Sequence, residues 1–323
     1  MKHTLVVLAA VLAMAIGAVA PARAQSSSYP ERPIRIIVPF APGGTADIIA
    51  RIAADQVTAD QGWRVYVENI TGAGGSVGAA AAARAPADGY TLLVCNVACA
   101  ANQFLLGNTG FDPDTDLAPV IVLGYVPNVL AAGPGVSAAT LPEFIAFARA
   151  HPGKVSMASS GPGSSSHLSA LLLKVKAQID IVDVPYRGSS AAMPDILSGR
   201  VDAMTMGLPE SLPFVRDGKL KALGVTSDKR APALPNVPTF TQAGVPDYSY
   251  LGWLSLFVPQ RTPAAAAEKL NAAFGKSLQS PALLARFAEQ SIEAVGGSAD
   301  LAGQLLKSDV VLWRQILQSK SKG

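Results

Sequence analysis

Four times along the chain a strand-like apolar run ends in a loop of glycine, proline and small hydroxyl residues and passes straight into a helical pattern. Residues 34–38 lead into Phe40-Ala41-Pro42-Gly43-Gly44-Thr45, then a helix with Ile48, Ile49, Ile52 and Ala53 on one face. Residues 64–69 lead into Thr71-Gly72-Ala73-Gly74-Gly75-Ser76 and an alanine-rich helix reaching Arg84. The pattern recurs with 155–159, the loop Ser160-Gly161-Pro162-Gly163-Ser164 and a helix over 166–176, and with 179–184, Pro185-Tyr186-Arg187-Gly188 and a helix over 189–197. Alternation of this kind builds parallel sheets covered by helices. A third early strand at 90–95 and later ones at 201–206 and 220–226 give two α/β units, each with its own sheet. Longer β-like segments near 120–132 and 251–258 are candidates for crossings between them. Further helices are read at 142–150 and 263–278. A last helix carries Leu306, Val310, Trp313 and Leu317 as one apolar stripe, expected to return and cover the first unit.

The chain has 323 residues, enough for two ordinary domains, and half are apolar with only 15% charged, so it folds rather than staying disordered. The 26 basic and 23 acidic residues are scattered, which argues against a nucleic-acid partner. Three histidines and two cysteines leave little for a zinc, haem or iron–sulfur site, and neither metal nor cofactor is expected. At the N-terminus Lys2 precedes an uncharged run over 5–20, then Pro21 and Ala22-Arg23-Ala24. That is the layout of a cleavable secretory signal over 1–24, with a mature start at Gln25. The run is short and alanine-rich for a membrane anchor. Cleavage leaves 24 basic against 23 acidic residues, a net charge of +1. In the oxidising compartment this implies, Cys95 and Cys99 can form a bridge if the segment turns as a helix start; the favoured reading is two small apolar core residues.

In open α/β sheets ligands sit beyond the carboxyl ends of the strands, where helix N-termini point. Backbone N–H groups there favour anions, and glycine lets the backbone approach the ligand. Gly43-Gly44-Thr45 and Gly163-Ser164-Ser165-Ser166 both have this character, one in each half. Arg187, between a strand and a helix and followed by Gly188, is the charged group suited to clamp a carboxylate. Residues 71–78 imitate a dinucleotide fingerprint, yet Val77 stands where the third glycine belongs and no acidic residue lies over 92–98. A hydrolase needs Gly-x-Ser-x-Gly, and neither Ser160 nor Ser164 is so framed. His151 lies in a helix-end turn and His167 in the first turn of a helix, where a neutral hydrogen-bonding role fits better than that of a general base.

Five ordered segments carry a resemblance over nearly all of the mature length. They are Tyr29-Pro30-Glu31-Arg32-Pro33-Ile34-Arg35 continuing to Ala46-Asp47; Val67-Glu68-Asn69 with Gly72-Ala73-Gly74-Gly75; Asp88-Gly89-Tyr90-Thr91-Leu92-Leu93; Val184-Pro185-Tyr186-Arg187-Gly188; and Leu234-Pro235-Asn236-Val237-Pro238-Thr239. Together they resemble the Bug-type solute-binding proteins of tripartite tricarboxylate transporters. The resemblance implies an α/β, two-lobed type II periplasmic binding protein (Venus flytrap), each lobe a mixed sheet flanked by helices. Lobe 1 is expected over 29–125 and 257–323 and lobe 2 over 126–256. It also implies a monomeric periplasmic binder, not an enzyme, that holds a small carboxylate between the lobes for delivery to a two-component membrane permease. Di- and tricarboxylates, acidic amino acids and aromatic acids are the ligand classes. The implied ligand-binding residues are Phe40, Ala41, Gly43, Gly44, Thr45 and Asp47 on one side, with Asn96 and Val97 after the third strand. Facing them are Ser159, Gly161, Ser164, Ser165, Ser166 and His167, with Tyr186, Arg187 and Gly188 nearby. Two departures are visible: 96–102 lacks the usual hydroxyl donors, and Arg187 stands where lysine is common. The alternatives are a ligand-presenting sensor component and an exported carboxylate-ester hydrolase.

Overall fold

In the computed structural model, which describes residues 29–248 and 250–320, each strand–loop–helix repeat closes as a parallel βα unit. The leader read over 1–24 and its cleavage before Gln25 lie outside the described residues. From Arg32 onward the chain forms one unit. The first sheet contains β1 (Ile34–Val38), β2 (Val65–Asn69) and β3 (Thr91–Cys95), in the parallel order β2-β1-β3. β1 is buried because helices cover both its faces, which explains its unbroken apolar run. The helices that follow these strands are α1 (Thr45–Gln61), α2 (Ser76–Ala83) and α3 (Val97–Leu105), with a short α4 (Pro113–Asp116) after them.

β4 (Leu117–Ala132) is the element on which the architecture turns. Its first part pairs antiparallel with β9 (Leu251–Pro259) and β10 (Glu293–Gly296), within the first sheet. Its last residues, Asn128 to Ala132, pair with β7 (Ala203–Gly207), and Val129 to Ala132 also with β8 (Lys221–Val225), in the second sheet. The two sheets therefore share a strand, where the sequence pattern predicted two separate ones. At about 3.3 Å per residue, a strand this long is able to serve both. The second sheet is completed by β5 (Val155–Ser159) and β6 (Ile181–Pro185), parallel to each other, with β5 parallel to β7.

The helices of the second half are α5 (Leu141–Ala150), α6 (Ser165–Ala177), α7 (Ser189–Leu197) and α8 (Leu208–Arg216); α9 (Ala264–Ser277), α10 (Pro281–Glu289) and α11 (Ala299–Lys320) close the chain. Buried Thr226 clasps the point where the sheets meet. Its Oγ1 accepts the Asn128 N–H at 3.0 Å and donates to the Tyr250 carbonyl at 2.6 Å. Its own backbone bonds both Asn128 and Tyr250.

The α11 stripe does more than cover the first unit. Leu306 and Val310 join the core of Ile37, Leu93 and Phe257, but Trp313 enters the second core with Phe144, Leu168 and Tyr250. The side chain of Leu317, the last member of the stripe, lies outside the described residues. No helix among the described residues is long and apolar enough to cross a membrane.

The favoured reading of Cys95 and Cys99 requires correction. Both are buried, as core residues would be, but they form a disulfide with Cα atoms 6.0 Å apart. Asn96 caps α3, so the chain turns into a helix immediately after β3, and the first turn brings the two sulfurs together.

Candidate functional site

Five helices begin at one cavity: α1, α3, α6, α7 and α8, each entered from the carboxyl end of β1, β3, β5, β6 or β7. Its empty space is about 680 Å³, counting the mouth. The first turn of a helix leaves backbone N–H groups without intrahelical partners, so these starts give the cavity a set of donors and a positive local field. Phe40, Ala41, Gly44, Thr45, Asn96 and Val97 line one side. Ser164, Ser165, Ser166 and Gly188 line the other, and β4, β7 and β9 supply Val126, Asn128, Met206 and Trp253.

Each loop is held by bonds that the sequence motifs supply. Buried Asp47 accepts from the Gly43 N–H at 3.0 Å, from Arg51 Nε at 2.9 Å and from Asn69 Nδ2 at 2.9 Å. Burial pushes its pKa up, but Arg51, the Gly43 amide and Asn69 together hold it below the usual aspartate value. Asn69 also donates to the Phe40 carbonyl at 3.0 Å, holding the backbone of a residue that lines the cavity. Asp47 therefore shapes the loop from beneath and does not line the cavity. On the facing side Ser164 caps α6 by accepting the His167 N–H at 3.4 Å. The Gly163 N–H is 3.0 Å from His167 Nδ1, which accepts it, and the Ser160 N–H donates to Ser166 Oγ at 2.8 Å. Ser165 reaches Tyr250 Oη at 3.0 Å and Asn128 Nδ2 at 3.5 Å, tying the cavity wall to the clasp between the sheets.

Not every expected residue is brought to the cavity. Ser159 is fully buried at the end of β5, Gly43 stands behind Gly44, and His167 supports its loop from outside the lining. Gly161, Tyr186 and Arg187 line a neighbouring recess with Thr71 to Gly75. Arg187 is exposed there, and Tyr186 turns its hydroxyl away to Asp195 at 2.6 Å.

The loops of the two sheets meet directly. At Gly207 a Cβ would overlap Thr45 Oγ1, and at Gly163, where φ is +76°, it would overlap Asn102 Oδ1. Only glycine lets the backbones come this close.

Sequence reading passed over Glu210, among the described residues the one ionisable side chain in the lining. It is the third residue of α8, and its Oε1 accepts the Gly207 N–H at 3.1 Å. Oε2 accepts from Ser189 Oγ, in the first turn of α7, at 2.6 Å. The Thr45 amide, the first of α1, bonds the same carboxylate from the other sheet. Burial pushes its pKa up, while these three donors oppose the shift. Gly-Leu-Pro-Glu is itself a helix-start signal, with proline in the first turn and glutamate at its third position, and that pattern would have located α8.

A two-lobed α/β scaffold with a cavity walled by loops of both sheets defines a solute-binding protein of the periplasmic type. The chain belongs to the tripartite tricarboxylate transporter receptor family (TctC), whose sequence model matches residues 49–321. It is 34% identical over 320 residues to protein BugT of Bordetella pertussis, covering 98% of this chain and 97% of that one. Among solved structures it is similar to Rpa4515 of R. palustris with adipate, at TM-score 0.86 and 32% identity, over 90% of this chain and 97% of that one. It is similar also to MatC of Rhodopseudomonas palustris with bound malate, at TM-score 0.85 and 31% identity, over 90% of this chain and all of that one.

Proposed function

We propose that the protein is exported, loses residues 1–24, and captures a small carboxylate in the cavity between its sheets for delivery to a two-component membrane permease. The lobes are assigned as 29–125 with 257–323, and 126–256, and the protein acts as a monomer. The convergence of five helix starts on one cavity carries the reading. Such starts recognise anions through backbone amides, so a chain of nearly balanced charge needs no cluster of arginines. The solved relatives that hold adipate and malate support a carboxylate as the ligand class.

Of the residues expected from sequence, the contacts to ligand are assigned to Phe40, Ala41, Gly44, Thr45, Asn96, Val97, Ser164, Ser165, Ser166 and Gly188, which line the cavity. Arg187 is assigned no ligand contact. A micromolar complex requires about −8 kcal/mol, within reach of several amide and hydroxyl bonds in a site that excludes water. Isothermal titration against a panel of mono-, di- and tricarboxylates, acidic amino acids and aromatic acids tests the proposal. At least one acid is expected to bind with a Kd in the micromolar range or below; no heat from any acid would overturn it.

A further inference from the structure

Glu210 is unlike the rest of the cavity. Among the described residues the lining is otherwise apolar groups, hydroxyls, carboxamides and backbone, with no lysine, arginine or histidine to offset its charge. Nor does Glu210 join any ion pair among the described residues. Both oxygens accept hydrogen bonds: Oε1 from the Gly207 amide, Oε2 from the Ser189 hydroxyl, and the group also from the Thr45 amide. Burial raises its pKa, but two of the three partners are backbone amides, which can only donate, and three helix starts add a positive local field; this geometry favours the ionised form.

One carboxylate thus occupies three helix starts at once, those of α1, α7 and α8. It reaches them through the Thr45 amide, the Ser189 hydroxyl and the Gly207 amide, so the protein already places a carboxylate of its own at that end of the cavity. The end formed by Ser164, Ser165 and Ser166 has hydroxyls and a helix start but no acidic side chain. A ligand carboxylate is favoured there. A second carboxylate reaching towards Glu210 meets a like charge in a site of low dielectric, with no cation to relieve it.

We infer that Glu210 restricts the ligand to carboxylates bearing a single negative charge, with a neutral or hydrogen-bond-donating group at the far end. This inference rests on the carboxylate reading above and narrows it. It also separates the chain from its relatives with adipate and malate, both of which carry two carboxyl groups.

The test is isothermal titration at pH 7.5 with matched pairs that differ only by amide for carboxylate: succinamate and succinate, glutaramate and glutarate, adipamate and adipate, 4-carbamoylbenzoate and terephthalate. For the pairs that bind, the wild-type protein is expected to favour the monoamide at least tenfold. Glu210→Gln, which keeps an acceptor for Gly207, is expected to bring the diacid to within threefold of its monoamide. A wild-type protein that binds the diacid as tightly as the monoamide overturns the inference and leaves the carboxylate reading standing. An unchanged ratio in a folded Glu210→Gln protein also overturns it. No heat from any pair or from the wider acid panel overturns both. Should the variant fail to fold, the wild-type ratio decides alone.

Discussion

The starts of α1 and α6 occupy corresponding places, each following the first parallel strand of its sheet and each opening on the same cavity, yet they are capped from different sources. α6 is capped within its own loop, by Ser164. α1 begins at Gly44, which has no side chain to cap it, and takes the Glu210 carboxylate from across the cavity. The difference shows how a nearly symmetric cleft acquires two unequal ends. A helix that caps itself leaves its remaining amides for a guest, whereas a helix capped by the opposite sheet spends one on closure.

The largest test of this asymmetry acts on the closed seam. Gly207→Ala places a methyl group where Thr45 Oγ1 now lies, so the α1 and α8 starts cannot approach. Overpacking of this kind costs about 1–3 kcal/mol, which is roughly a 10–100-fold loss in affinity for the best acid of the panel. Parting the loops also breaks the Thr45 amide bond to Glu210 that caps α1, so Tm without added acid should fall too, by about 2–4 °C per kcal/mol. Undiminished affinity would show that the seam is not part of binding.

A smaller effect is expected behind the cavity. Trp253 lines it, and its indole Nε1 donates to Asp309 on α11 at 2.7 Å. Burial pushes the Asp309 pKa up to about 6 from 3.8, and the indole bond only partly opposes the shift. A carboxyl with a raised native pKa favours the fold below its unfolded value, and that contribution is lost as the pH rises through about 6. At pH 7.5 the fold therefore carries a penalty. Asp309→Asn keeps an acceptor for Trp253 and removes the charge. It should stabilise the protein by about 1–2 kcal/mol at pH 7.5, with the gain vanishing near pH 4. Lys176, Asp247 and Tyr250 line the recess that Asp309 faces. Melting temperatures of both proteins across that range check the prediction, and a difference independent of pH would overturn the assignment to Asp309.

Much of the scaffold was legible because periodicity and loop chemistry are local. Residues 34–38, 155–159 and 189–197 form the predicted elements to the residue, and the Gly43–Thr45 and Ser164–Ser166 loops stand at the same cavity. What remained hidden depends on pairing. The length of the segment near 120–132 marked it as a crossing between the units, but which strands β4 pairs with in each sheet is not written within the apolar run. Arg187 has the chemistry to clamp a carboxylate, but its loop places it exposed in the neighbouring recess, and loop direction is not written in local sequence. Glu210 was missed for the opposite reason: its signal is local, but its importance comes from Ser189 and Thr45, distant in sequence.

The smallest effect returns to the self-capped helix. Ser164 Oγ accepts the His167 N–H and lies 3.0 Å from Ser166 Oγ, all within one loop. Ser164→Ala removes that cap and should cost about 1 kcal/mol, or about 2–4 °C in Tm, in the protein without added acid. Ser164→Thr keeps a hydroxyl at the same place and should recover most of the loss. This is the signature of a cap that belongs to its own helix: its contribution is independent of closure, whereas capping of α1 by Glu210 requires the two sheets to meet. Equal melting temperatures for the alanine, threonine and wild-type proteins would mean that Ser164 does not cap α6 in solution, and the contrast between the two ends would then rest on Glu210 alone.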